Sequence, residues 1–387
     1  MESKQPDDEA QISRTRRGQA AQTDPEPDQK ARNKMSVISN IQEFWSRFED
    51  EQQDLLNALK NKDYTALSEV LEGLDQECHA ISGAHLFVED SFEQPELTLD
   101  AGPNKTTQLI CQQMKKLAPA AVKKIWIIND TLPPLSQKAI EAQLQIKDEI
   151  YTLFDFTAFY TADETSQSFS VRLYCPGFSL IDNPEHKREM CIYLVELAIG
   201  QNAMESYVSF VDFLDQPENG VDFCNLTELY EVIMETAEKG KWKEYKHPTD
   251  IYSVYQPHQD FAHDSLRKDM KIIFTTHPLL IEESLGSKSD VLLDLKTKDG
   301  EYGYIYYSNP FSGKDDALYR QELSKKLDAA FAPLHCAKVI GGAIGKSFSY
   351  IDLIVFDKSL FLKAFSQIQK QLHERVEIHY RSFAEDI

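Results

Sequence analysis

A chain of 387 residues, 42% hydrophobic and 27% charged, exceeds one typical domain and can bury sizeable cores without disulfides or structural metal. Its net charge of -22, from 63 acidic and 41 basic side chains, repels nucleic-acid phosphates and anionic membranes and suits a basic partner. The six cysteines (Cys78, Cys111, Cys175, Cys191, Cys224 and Cys336) are scattered without a Cys-x-x-Cys, which argues against a zinc ribbon or a redox pair and fits a reducing cytoplasm.

Residues 1–34 are polar, with seven acidic and seven basic side chains and almost no large apolar ones. Such a segment cannot bury enough surface to offset its ordering entropy, so a disordered tail is expected. It lacks the apolar run of a signal peptide, and no stretch of about 18 apolar residues follows, so no membrane span is expected. From Met35 the pattern changes. Ile41, Phe44, Trp45, Phe48, Leu55, Leu56 and Leu59 share one helical face, with Ser39 and Gln42 as a capping box. A second helix is predicted over 64–79, then strands at 86–88 and 96–100, the latter closed by Gly102-Pro103. Asn104 caps a helix carrying Leu109, Ile110, Met114 and Leu117, which Pro119 ends, and a strand covers 125–128.

Longer strands are predicted at 151–161 and 168–175. Asn183-Pro184 opens a helix to Ile199, with Gly200 at its left-handed C-terminal cap. A strand at 206–213 and a helix at 227–239 follow. The charged stretch 239–248, with Gly240 and Pro248, is the expected domain boundary. Beyond it, 255–267 reads as loop, 270–275, 290–295 and 302–307 as strands, and 315–331 as a helix with Tyr319, Leu323, Leu327 and Phe331 on one side. A strand pair around Gly341-Gly342, a helix from Lys358 capped by Asp357, and a strand at 376–380 complete the chain.

Strands fall in runs of two or three between helices, not in strict alternation. The expected class is therefore α+β, with mainly antiparallel sheets packed with helices. The expected organisation is a tail at 1–34, an N-terminal α+β domain at 35–238 and a C-terminal α+β domain at 250–387.

Gly341-Gly342-Ala343-Ile344-Gly345-Lys346-Ser347 approaches a phosphate-binding loop. That loop needs Gly-x-x-x-x-Gly-Lys-Ser/Thr and a following helix whose N-terminal amides hold the phosphate. Here Ile340 stands where the first Gly belongs, and 348–356 is an aromatic and β-branched strand. The segment reads instead as a hairpin with its tight turn at Gly341-Gly342. Lys346 and Asp352 remain candidate catalytic groups there. Asp352 lies on the face with Phe348, Tyr350, Ile354 and Phe356. If that face is buried, Asp352 acts as a general base or pairs with Lys346 or a tyrosine hydroxyl; if it is wet, no role is required.

His258, Asp260, His263 and Asp264 form the candidate metal set, two imidazoles and two carboxylates within seven residues. A five-residue His spacing does not place both on one helix face, so a polar loop is the competing reading. Glu185, Glu189 and Glu196 fall near one stripe and read as a wet helix face. Tyr302, Tyr304 and Tyr306 share a strand face, as a core ladder or an interface.

Phe44-Trp45-Ser46-Arg47-Phe48, Glu96-Leu97-Thr98-Leu99-Asp100-Ala101-Gly102, and Leu117-Ala118-Pro119 with Trp126 form an ordered series. Over roughly residues 40–230 it resembles a family of uncharacterised bacterial proteins that open with a Phe-Trp-x-Trp-Phe-type helix, with Arg47 in place of the second Trp. The resemblance implies a bacterial origin and a folded domain, and transfers no catalytic residue. The function expected from these residues is non-enzymatic protein interaction, immunity- or regulator-like, toward a basic partner and without a cofactor. The alternative is a metal-assisted hydrolase using His258, Asp260, His263 and Asp264; nucleotide binding near Lys346 comes third.

Overall fold

The computed structural model describes residues 35–90, 94–135, 143–257, 266–311, 313–372 and 376–386. The chain begins there with α1 (Val37–Asn61), α2 (Tyr64–Ser82), β1 (His85–Glu89), β2 (Glu96–Asp100), α3 (Lys105–Leu117), α4 (Ala120–Ile125) and β3 (Ile127–Asn129). It continues with β4 (Gln143–Ile146), β5 (Glu149–Thr152), β6 (Thr157–Asp163), β7 (Ser168–Tyr174), α5 (Pro184–Tyr207), β8 (Val208–Leu214), β9 (Asp222–Asn225) and α6 (Leu229–Lys239). The remainder comprises β10 (Ser253–Tyr255), β11 (Met270–Thr275), α7 (Pro278–Leu285), α8 (Asp290–Thr297), β12 (Glu301–Ser308) and α9 (Lys314–Phe331). It closes with β13 (Ala337–Gly345), β14 (Phe348–Val355), α10 (Lys358–Leu372) and β15 (His379–Ser382).

This is an α+β fold. Its central sheet is six-stranded and antiparallel, in the order β10-β11-β13-β14-β12-β15. A four-stranded sheet, β8-β7-β6-β9, has one parallel pair, β7 with β8; a three-stranded sheet, β1-β2-β3, pairs β2 with β3 in parallel. β4 and β5 form a separate hairpin.

The apolar pattern accounts for the layers. The stripe of α1 buries Phe44, Trp45 and Phe48 completely or nearly so, and Trp45 Nε1 donates to the Met114 carbonyl at 2.9 Å. Each such buried aromatic contributes about 2–3 kcal/mol relative to an exposed one. Around these side chains, α1, α2, α3 and β1–β3 share a core with one face of the central sheet, through Ile273, Tyr302, Tyr304, Ala343, Tyr350 and Ile354. The opposite sheet face, with Ile305, Ile351 and Leu353, lies under Leu327 and Phe331 of α9 and Phe361 of α10. A further core fills the 146–242 region, where α5 and α6 cover β6–β8. Residues 36–387 form one compact unit, and the largest core draws on both sides of the expected 35–238 and 250–387 division.

α3 is buried on every side from Thr106 to Met114, including Thr106, Thr107, Gln108, Gln112 and Gln113. Its apolar side enters the largest core, while its polar side meets groups from three other segments. Gln108 and Lys105 bond to Glu205 of α5, Gln112 Nε2 donates to Thr249 Oγ1 at 2.8 Å, and Lys338 Nζ on β13 donates to Gln112 Oε1 at 2.8 Å. Each buried amide thus has a partner, as burial of a polar group requires.

Several local readings are corrected, among them the strand expected at 151–161, which the turn Leu153–Asp155 divides into β5 and β6. The capping box of α1 is Ser36 with Ser39, not Ser39 with Gln42. Residues 290–295 form the helix α8, not a strand, because Glu283 Oε2 of α7 accepts from the Val291 N–H at 2.8 Å and satisfies a helix-start donor. The helix from Pro184 does not stop at Gly200. It kinks there (φ 76°, ψ 156°) and continues to Tyr207, because the backbone at Gly200 packs against Pro133 and Pro134, where a Cβ would lie 2.6 Å from Pro134 N. Finally, β13 continues through Gly341-Gly342 after a register shift between Val339 and Gly341, and the hairpin turn is Lys346-Ser347.

Candidate functional site

The phosphate-loop-like segment does hold an anion, and that anion belongs to the protein. The Ser347 and Phe348 N–H groups donate to Asp269 Oδ2 at 2.8 and 3.1 Å, and Lys346 N donates to the Asp269 carbonyl at 2.9 Å. Tyr350 OH donates to Asp269 Oδ1 at 2.6 Å. The amides that would cradle a phosphate are committed to this carboxylate. Gly345 allows the approach: a Cβ there would lie 2.3 Å from Asp269 Oδ2.

Asp352 is fully buried opposite Tyr304, and Arg267 Nη1 donates to its Oδ1 at 2.6 Å. The guanidinium sits among rings, 4.6 Å from the Phe383 centroid, 5.0 Å from Tyr304 and 5.5 Å from Tyr350. The partner of Asp352 is therefore Arg267, not Lys346 or a tyrosine. Lys346 is exposed at the hairpin turn, so the structure does not bring the two candidates together. His258, Asp260, His263 and Asp264 lie outside the described residues. Among the described residues no group of three or more His, Cys, Asp or Glu is placed to hold a metal ion. Tyr302 and Tyr304 are buried and Tyr306 half-buried, so the strand face is a core ladder. Glu196 is half-buried, and burial raises its carboxyl above the usual range. Burial also pushes the thiols of Cys78, Cys191 and Cys224 up to about 12, which keeps them protonated packing groups.

A polar relay joins α3 to the central sheet. Leu280 N donates to His277 Nδ1 at 3.2 Å, so the hydrogen of the neutral ring is on Nε2, which faces Thr106 Oγ1 at 3.1 Å. Thr106 Oγ1 in turn lies 2.9 Å from the Tyr302 hydroxyl. Burial pulls His277 down to about 4 and raises Tyr302. Lys338 on β13 is half-buried, and burial pulls its ammonium down to about 8.

A groove of about 590 Å³ lies between α9 and the β11–β13 part of the central sheet. Phe274, Val339, Gly341 and Ile344 form its floor, and Ala317 and Leu318 of α9 line one wall. Positions 314, 317, 321, 324 and 328 recur at helical spacing, so α9 turns this stripe to the groove while Leu323, Leu327 and Phe331 face the sheet. Arg320 lies over the Phe274 ring at 5.3 Å and against Gly342, where a Cβ would come within 3.0 Å of Nη1. The glycine pair therefore makes room for a guanidinium. Arg320 has no ion pair among the described residues, and its Nε and the Ser324 Oγ one turn on are buried without a hydrogen-bond partner. Burial lowers the Arg320 guanidinium from its ordinary value, against the fields of Tyr307 and Asp352. Sequence reasoning passed over Arg320 because it reads α9 by its apolar stripe; only an Arg-Ser pair at i, i+4 beside that stripe marks it. Comparison with protein-family models, with curated proteins and with solved structures finds no match.

Proposed function

We propose that this protein works by binding a protein partner, in an immunity- or regulator-like role, rather than by turning over a substrate. The observation that carries this is the placement of its charge. The α1–α2 hairpin holds ten acidic against three basic side chains, and Glu43, Glu49, Asp50, Asp54, Glu69 and Glu72 are exposed on it. A field of that sign steers a basic protein to the hairpin and sets its register. The reading is also supported by what the reactive-type groups do: Asp352, Asp269 and His277 hold strands, a turn and a helix start in place. A reducing, cytoplasmic setting suits buried thiols that serve as packing groups. No helix among the described residues is long and apolar enough to cross a membrane.

Affinity capture from native lysate tests the proposal, with the wild-type protein and a variant carrying Glu43→Lys, Asp50→Lys, Asp54→Lys and Glu69→Lys. A stoichiometric basic partner is expected on the wild type only, released at about 1 M salt, where the screening length falls to about 3 Å. A column without such a partner, or a partner indifferent to both salt and the variant, overturns it.

A further inference from the structure

We infer that the groove beside α9 binds a carboxylate carried on an apolar body, with Arg320 as the residue that holds the carboxylate. The inference is independent of the protein-binding role assigned to the α1–α2 hairpin. Its volume, about 590 Å³, falls within the range of small-ligand sites. Its floor and one wall are apolar, through Phe274, Val339, Ile344 and Leu318. Such a surface favours a hydrocarbon or aromatic body. The charged groups oppose the sign of the molecule: Lys314, Arg320 and Lys325 line the groove against one carboxylate, Asp328. Asp328 forms no ion pair with Arg320; its Oδ1 accepts from the Val339 N–H at 3.0 Å and ties α9 to β13.

A guanidinium without an anion in an apolar wall is a costly arrangement unless something supplies one. The planar fork of Arg320 suits a carboxylate in two-point contact, and Ser324 lines the groove one turn along α9. A monoanion fits better than a phosphate dianion. The lysines are exposed and solvated, while Asp328 and the net charge of -22 oppose a second negative charge. The glycine pair completes the case, since a side chain at Gly342 would crowd Arg320 Nη1 and one at Gly341 would strike the Phe274 carbonyl. This chemistry is offered by a free aliphatic or aryl acid and equally by the C-terminal residue of a peptide.

Calorimetric titration of the full chain with octanoate, with 3-phenylpropionate and with an N-acetylated pentapeptide ending in leucine tests the inference and separates the two sources. Binding of a free acid alone identifies a small-molecule site, and preference for the peptide identifies a C-terminus reader; either supports it. The primary-amide forms of the same probes should not bind. Arg320→Met should weaken binding by about tenfold or more, the loss of one good charge-assisted contact. Because Arg320→Met alters a partly buried side chain, Gln321→Glu serves as the second variant. It places a competing carboxylate on the exposed wall without disturbing packing, and should weaken binding by a similar factor. Failure of all the acids to bind, affinity unchanged in both variants, or octyl phosphate binding as tightly as octanoate would overturn the inference.

Discussion

His277 shows how one residue acquires its properties from four segments. Its Nδ1 starts α7, its Nε2 meets Thr106 of α3, and Tyr302 of β12 closes the relay. Burial holds it at about 4 against an ordinary value of 6.5, with Lys105 lowering it further and Asp294 opposing. The unfolded chain therefore binds a proton between those values that the folded chain refuses. The stability contributed by the neutral ring is present above pH 6.5 and is lost as pH falls through about 4, by up to about 3 kcal/mol. Urea denaturation across that window should show a steeper fall for the wild type than for His277→Asn, which keeps a helix-start acceptor without a titrating group. Equal slopes would remove His277 from the account. Asp352 makes the complementary point. Its alternation with Tyr350 and Ile354 was readable in the sequence, but whether that face was wet was not. The partner that settles it, Arg267, lies 85 residues away.

At the scale of elements, β13 and α8 mark the limits of local reading. Gly341-Gly342 read as a turn because glycine is the usual supplier of turn conformations. Here the glycines serve close approach: a Cβ at Gly341 would lie 2.2 Å from the Phe274 carbonyl on β11, and one at Gly342 would lie 2.2 Å from the Tyr350 carbonyl on β14. Gly341→Ala should accordingly destabilise the protein by about 1–3 kcal/mol, the usual cost of overpacking, measured as a lower denaturation midpoint with an unchanged slope. If alanine is neutral, the neighbouring strand yields and the close-approach account fails. The turn itself moves to Lys346-Ser347 because Asp269 supplies the acceptors for its amides. Residues 290–295 misled for a similar reason. A short apolar run fits strand or helix equally, and the acceptor that starts α8 comes from Glu283 on the preceding helix. The helices read best were α1, α3 and α9, whose stripes are long enough to carry their own period.

Across the whole molecule, the central sheet is covered on one face by α9 and α10 and on the other by elements from the start of the chain, α1 and α3 among them. A fragment spanning 250–387 retains all six strands of that sheet but loses the cover over Ile273, Tyr304, Ala343 and Ile354. Expressed alone, it should lack a cooperative unfolding transition and should aggregate; a sharp two-state melt would show that the shared core is dispensable. Composition and period were enough to establish the α+β class, the long helices and the failure of the phosphate-loop motif, because each depends on side chains near one another in the chain. Tertiary structure alone decided the rest. The partner of Asp352, the occupant of the Lys346-Ser347 turn, the tautomer of His277 and the placement of Arg320 beside a groove each depend on groups that meet only after strands distant in sequence have paired. Burial, which sets the cost of a charge and the worth of a hydrogen bond, is a property of that pairing and not of any local run of residues.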